Sequence, residues 1–252
     1  MVKYFDINEA SNSIKCKVIC DNFRETKHVV LFVHGFGGHK DNKAAESFAE
    51  AAMSKIKNLA VFIIDLPCHG KDVKKKLTLS DCDTYISLTI GYIQNEMKVE
   101  DICAYGTSFG GYLLLKYLHD HEKNPFRKIA LRCPAVSIGD VMYNRMMTEE
   151  NRVLLDKGKD IQAGFDRKVL IDKAYLDDLN NHDIRKYEFF DYADDIMIIH
   201  GTKDEIVSFD ESQKFAEENV IEFIPIDGAD HRFQNVDKLK LAHSYMIDFY
   251  RN

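Results

Sequence analysis

The sequence predicts an α/β protein, with a mostly parallel central sheet, helices on both faces and a small inserted cap. Short apolar runs without polar alternation recur along the 252 residues, as strands buried on both faces require. Segments with helical apolar spacing alternate with them, the pattern of a parallel sheet covered on both sides. Residues 139–190 break this rhythm with charges, scattered aromatics and no strong buried strand. They are too many for a simple connection. The predicted core is therefore 1–138 together with 191–252, and 139–190 is the inserted cap.

Residues 3–8 and 13–20 read as two short strands around the turn "EASNS". "HVVLFVHG" is a buried strand ending in glycine. "NKAAESFAEAAMSKI" places Ala45, Phe48, Ala49, Ala52 and Ile56 on one helical face. "LAVFIIDLP" is a strand stopped by Pro67. "SDCDTYISLTIGYIQNEM" is a helix with Ser80 as its expected N-cap and Asp81 and Asp83 in its first turn, where acidic groups suit the helix dipole. "VEDICAYG" is a strand and "SFGGYLLLKYLHDH" a helix. "KIALRCPAV" is a strand leading into the cap. "DIMIIHG" and "VIEFIPIDG" are the last strands, with the helix "FDESQKFAEEN" between them. "VDKLKLAHSYMIDFY" closes the chain as an amphipathic helix.

Composition narrows the function. Apolar residues make up 45% and charged residues 30%, enough for a core that needs no disulfide or metal for its size. The net charge of −7 disfavours nucleic acid and anionic membranes as partners. The one dense basic run, Lys71 to Lys76, reads as a solvated loop. No apolar run has the length of a signal or a membrane span, so a cytoplasmic location is expected. The six cysteines form no CxxC pair and read as buried reduced thiols.

"AYGTSFGGYLL" carries the chemistry. Gly106, Ser108 and Gly110 form a GxSxG sequence between a buried strand and an apolar helix. At such a junction the turn is tight and pushes the serine oxygen out at the strand's carboxyl end. A serine hydroxyl needs a base, and the base needs an orienting carboxylate. Of ten histidines, His231 is the one in a glycine-containing loop between the last strand and the last helix, at the edge where a base must stand. His200 ends a strand and is expected to pack or hydrogen-bond locally. Asp204 and Glu205 both follow the penultimate strand and both qualify as the carboxylate. An oxyanion hole needs two backbone N–H groups. Phe109, after the nucleophile, supplies one, and Phe36 in "HGFGG" is the candidate for the other. No His/Cys/carboxylate cluster has ligand spacing and no dinucleotide GxGxxG follows a first strand, so neither metal nor cofactor is called for.

Together, "HGFGG", "IDLPCHGKD", "GTSFGG", "HGTKDEIV" and "GADHRF" resemble the α/β-hydrolase superfamily from about residue 28 to 250. The order Ser108, Asp204, His231 is the one found there, and the resemblance selects Asp204 over Glu205. Within the superfamily the chain is most similar to bacterial serine esterases of the cinnamoyl/feruloyl type. It departs from them at Thr107, where histidine is more usual, and at Cys68, where glycine is. The resemblance implies hydrolysis of small-molecule carboxylic esters, with aryl, hydroxycinnamoyl or short acyl groups. A thioesterase or acyltransferase, a small-peptide peptidase and a non-catalytic binding protein are the alternatives. The cap's first residues, "IGDVMYNRMM", should overhang Ser108. Asp140 would then accept a hydrogen bond from a substrate hydroxyl and Tyr143 line an acyl pocket, unless both only fix the cap to the sheet. The oligomeric state is open between monomer and homodimer.

Overall fold

β1 (Val2–Glu9) and β2 (Asn12–Cys20) form an antiparallel hairpin that pairs Val2 with Ile19 and Glu9 with Asn12. β3 (His28–Val33), β4 (Leu59–Ile64), β5 (Asp101–Thr107) and β6 (Ile129–Arg132) follow. β2 joins β4 antiparallel, and every later pairing in this sheet is parallel. The computed structural model describes residues 1–9, 11–70, 76–165 and 167–252. The basic run Lys71–Lys75 lies outside the described residues, while Lys76 reaches Asp172 at 2.8 Å.

The apolar runs are buried on both faces because successive side chains point to opposite sides. Val29, Leu31 and Val33 of β3 join one apolar core, and Val30 and Phe32 join the other. α1 (Lys43–Met53) packs on the second face. α2 (Leu79–Asn95) and α3 (Phe109–Asp120) pack on the first. Thr78, not the expected Ser80, caps α2 by accepting from Asp81 N at 3.0 Å. The helix starts earlier because Leu79 is buried in the core.

After β6 the chain leaves the sheet. It runs through α4 (Ile138–Val141), a wider π-turn over Met142–Met146, and α5 (Glu149–Asp156). A two-stranded hairpin then pairs β7 (Ile161–Ala163) with β8 (Val169–Ile171), in the segment where the sequence shows no strong buried strand. α6 (Lys173–Asn181) and two short 3-10 turns lead back to β9 (Ile196–Gly201). Met142, Met146, Tyr175, Leu179 and Ile184 of this segment belong to the same apolar core as the sheet.

α7 (Phe209–Glu218), β10 (Glu222–Ile226) and α8 (Val236–Arg251) complete the chain, with α8 on the face of α1. The sheet order is β1-β2-β4-β3-β5-β6-β9-β10. The loops after β3, β5, β6, β9 and β10 therefore converge at one carboxyl edge. Among the described residues no helix is long and apolar enough to cross a membrane. All six cysteines are buried, and burial pushes the Cys16 and Cys103 thiols up to about 12. Those two are poor nucleophiles at neutral pH.

Candidate active site

Ser108 stands where β5 turns into α3, with φ +52° and ψ −115°. A non-glycine residue held there costs about 1–3 kcal/mol, so the turn must be fixed from outside. The Ser108 carbonyl accepts from Gly111, Tyr112 and Ala135 N–H at 3.0, 3.1 and 3.1 Å, and its own N–H donates to Arg132 O at 3.0 Å. The flanking glycines serve close packing. A Cβ on Gly106 would lie 2.8 Å from Gly111 Cα, and one on Gly111 would lie 2.9 Å from Pro134 Cβ. Strand and helix therefore meet at a distance that no side chain would allow.

His231 follows β10 in a short turn, and its Nδ1 lies 2.7 Å from Asp204 Oδ2. Asp204 follows β9 and its side chain has no exposed surface. Its Oδ1 accepts from Ile206 and Val207 N–H, both at 2.8 Å. His200 Nε2 approaches Oδ2 at 3.1 Å, short in distance but not aligned as a hydrogen bond. Burial alone would raise the Asp204 carboxyl. The two imidazoles overcome that and hold it well below the usual carboxylate range. An ionised Asp204 accepts a hydrogen bond from His231 Nδ1–H, and in that imidazole tautomer Nε2 is left as an acceptor. Glu205 contributes differently: its Oε2 lies 3.4 Å from the His231 backbone N–H.

The loop after β3 is tied down by His34. Leu66 N–H donates to its Nε2 at 3.1 Å, so Nδ1 carries the proton and donates to Gly35 O at 2.8 Å. Burial, with the neighbouring His69, pushes His34 well below its ordinary value and keeps it neutral. Asp65 holds the same loop by accepting from Lys40 N–H at 2.6 Å. Gly35 lies against Ser108: a Cβ there would meet Ser108 Cβ at 3.2 Å. Among the described residues neither Phe36 N–H nor Phe109 N–H has a backbone acceptor. Their rings meet edge to face at 5.8 Å. Cys68, at the position where the resemblance has glycine more often, holds a φ of +62°.

Ser108, His231 and Phe36 line one cavity of about 540 Å³, together with Met146, Phe165 and Ile206. Asp140 and Tyr143 do not line it, contrary to expectation. Asp140 is exposed and pairs with Arg185 Nη2 at 3.1 Å. Tyr143 is 51% exposed and lies under the Arg152 guanidinium at 4.7 Å. In the π-turn it is Met142 and Met146 that face inward, which turns Tyr143 outward. Arg132, at the end of β6, lines the cavity as well. Sequence reading passed over it as part of an apolar strand.

Cys133 Sγ, a His200 ring nitrogen and an Asp204 oxygen lie within 4.8 Å of one another. They do not suit a cation. The Asp204 oxygens already accept from three N–H donors, and burial raises the Cys133 thiol well above its ordinary value, so it keeps its proton.

Comparison with known proteins agrees with this architecture. Est1E from Butyrivibrio proteoclasticus superposes with a TM-score of 0.75 at 18% identity, covering 99% of each chain. The same protein with ferulic acid bound gives 0.73 at 19% identity, covering 95% of this chain and 97% of that one. At such identity the likeness is one of fold, that of the α/β hydrolases. A Mycoplasma pneumoniae protein described as a candidate esterase/lipase is 26% identical over 116 residues, which span 46% of this chain and 40% of the relative. Residues 24–189 match the family model described as serine aminopeptidase, S33. The chain belongs to that hydrolase family and has the α/β-hydrolase fold.

Proposed function

We propose that the protein is a serine hydrolase of small carboxylic esters that works through an acyl-enzyme. The observation that carries the reading is the constellation itself. A serine held at positive φ shares a cavity with a histidine whose other nitrogen is bonded to a buried, ionised aspartate. In this reading Ser108 Oγ attacks the ester carbonyl while His231 Nε2 takes its proton. Asp204 fixes the imidazole and stabilises the imidazolium. The Phe36 and Phe109 N–H groups donate to the oxyanion. His231 then returns the proton to the leaving alcohol, and water, activated by the same imidazole, releases the acid.

The family description keeps a peptidase reading in view. An aminopeptidase must hold a free ammonium group, and a carboxylate is the ordinary partner for one. No described residue lining the cavity is acidic, which favours an ester without a free amine. The ferulic acid bound to Est1E makes aryl and hydroxycinnamoyl esters natural first substrates. The test is a panel of p-nitrophenyl acyl esters, hydroxycinnamate methyl esters, acyl-CoAs and aminoacyl anilides. Turnover of oxygen esters alone supports the reading. Preference for the thioesters or anilides replaces it, and no turnover of any favours a binding protein.

A further inference from the structure

Arg132 is 7% exposed, and its Nε and Nη1 are buried without an acceptor. Among the described residues no carboxylate pairs with it. The Phe233 ring at 5.2 Å covers one face of the guanidinium but satisfies none of its N–H groups. A buried cation left unpaired is expensive. The strand explains its place: Ala130 joins the α1/α8 face of the sheet, and alternation along β6 sends Arg132 the same way. There its charge contributes, after burial, to lowering His243 to about 3.

The second observation is the cavity's charge. Lys43, Arg132 and Arg167 line it together with Ser108 and His231, and no described lining residue is acidic. The whole chain carries 41 acidic against 34 basic residues, so this concentration of cations runs against the overall balance. Electrostatic focusing in such a cleft raises the local concentration of anions.

We propose that the substrate of this site is an ester bearing a carboxylate, and that Arg132 receives that carboxylate. This rests on the ester-hydrolase reading above and adds the charge class of the substrate. Arg132 stands in the cavity wall with no acidic partner among the described residues, and a guanidinium pairs side by side with a carboxylate, the geometry for which arginine is suited. Arg132 binds and orients the substrate; it takes no part in the proton transfers.

The test uses matched pairs of esters. Mono-p-nitrophenyl glutarate is compared with p-nitrophenyl valerate, placing the charge on the acyl side. 4-Acetoxybenzoate is compared with its methyl ester, placing it on the leaving group. In the wild type, kcat/KM for at least one anionic member should exceed its neutral partner by roughly tenfold or more, the worth of one charge-assisted hydrogen bond. In R132M that ratio should collapse, while R132K should retain part of it. Should R132M fail to fold, R132Q and R132K serve, with glutarate-induced stabilisation of S108A against S108A/R132K as the binding readout. Neutral esters preferred in both pairs, or a ratio unchanged in a folded R132M, overturns the proposal and leaves the open N–H groups to buried water. If no ester of any charge is turned over while glutarate still binds through Arg132, the ester-hydrolase reading has failed and the anion site stands.

Discussion

His231 Nδ1 lies 2.7 Å from Asp204 Oδ2, and the carboxylate that holds it is sealed from solvent. The imidazole thus has one tautomer available, with Nε2 as the acceptor, and His231 lines the cavity it shares with Ser108. Asp204→Asn would offer an amide donor and reverse that tautomer. We expect a loss on the order of 10⁴-fold in kcat with little change in KM. Glu205→Gln should cost far less, because Glu205 reaches only the backbone of His231. Steady-state kinetics on both variants checks the ranking, and a larger loss for Glu205→Gln would reassign the carboxylate.

The pH profile follows from the same pair. Asp204 is held well below the usual carboxylate range, so it stays ionised wherever an imidazole titrates. A proton on His231 Nε2 would block the role of base proposed for it. The acid limb of kcat/KM should therefore fall with unit slope. A limb of slope two would mean that a second group, Asp204 foremost, titrates with it.

The loop after β3, the proposed oxyanion loop, has no room to spare at Gly35, where a Cβ would meet Ser108 Cβ at 3.2 Å and Thr107 O at 3.3 Å. Gly35→Ala should push the loop and its Phe36 N–H away from the nucleophile. The expected loss is about 10²-fold in kcat, with the melting temperature lowered only modestly. Wild-type kcat in Gly35→Ala would remove this loop from the oxyanion site.

Acid should also weaken the fold. Burial lowers His69 to about 4 and His243 to about 3, and His34 is pushed well below its ordinary value. In the unfolded chain each titrates near ~6.5. Below that pH the unfolded state binds more protons than the native state, so stability falls as pH drops toward 4. Each histidine adds up to about 1.4 kcal/mol per pH unit to the slope. Denaturant titrations between neutral pH and pH 4 should show this decline, and His243→Phe should make it shallower. A stability independent of pH across that window would contradict the neutral burial of these rings.

The sheet could be read from the sequence because its strands are buried on both faces, which leaves uninterrupted apolar runs such as Leu59–Ile64. The candidate site could be read because Ser108, Asp204 and His231 each follow such a run. The hairpin of β7 and β8 escaped because strands of three residues carry no measurable period. Tyr143 was misplaced because a wide π-turn, invisible to helical spacing, sets which side chains face inward, and Asp140 because it lies on the exposed side of α4, paired with Arg185. Arg132 escaped for a different reason. One charge at the end of an apolar strand looks like its solvent-facing terminus, and only the structure brings Phe233 against it and sets it in the wall of the cavity.

The central claim is that Ser108 is the nucleophile. A fluorophosphonate probe followed by peptide mapping tests it most directly. Ser108 should carry the adduct, and Ser108→Ala should abolish both labelling and ester turnover, with a loss of about 10⁴-fold to 10⁶-fold at an unchanged fold. An adduct mapped to another serine, or a Ser108→Ala protein that keeps a substantial share of wild-type turnover, would contradict the account.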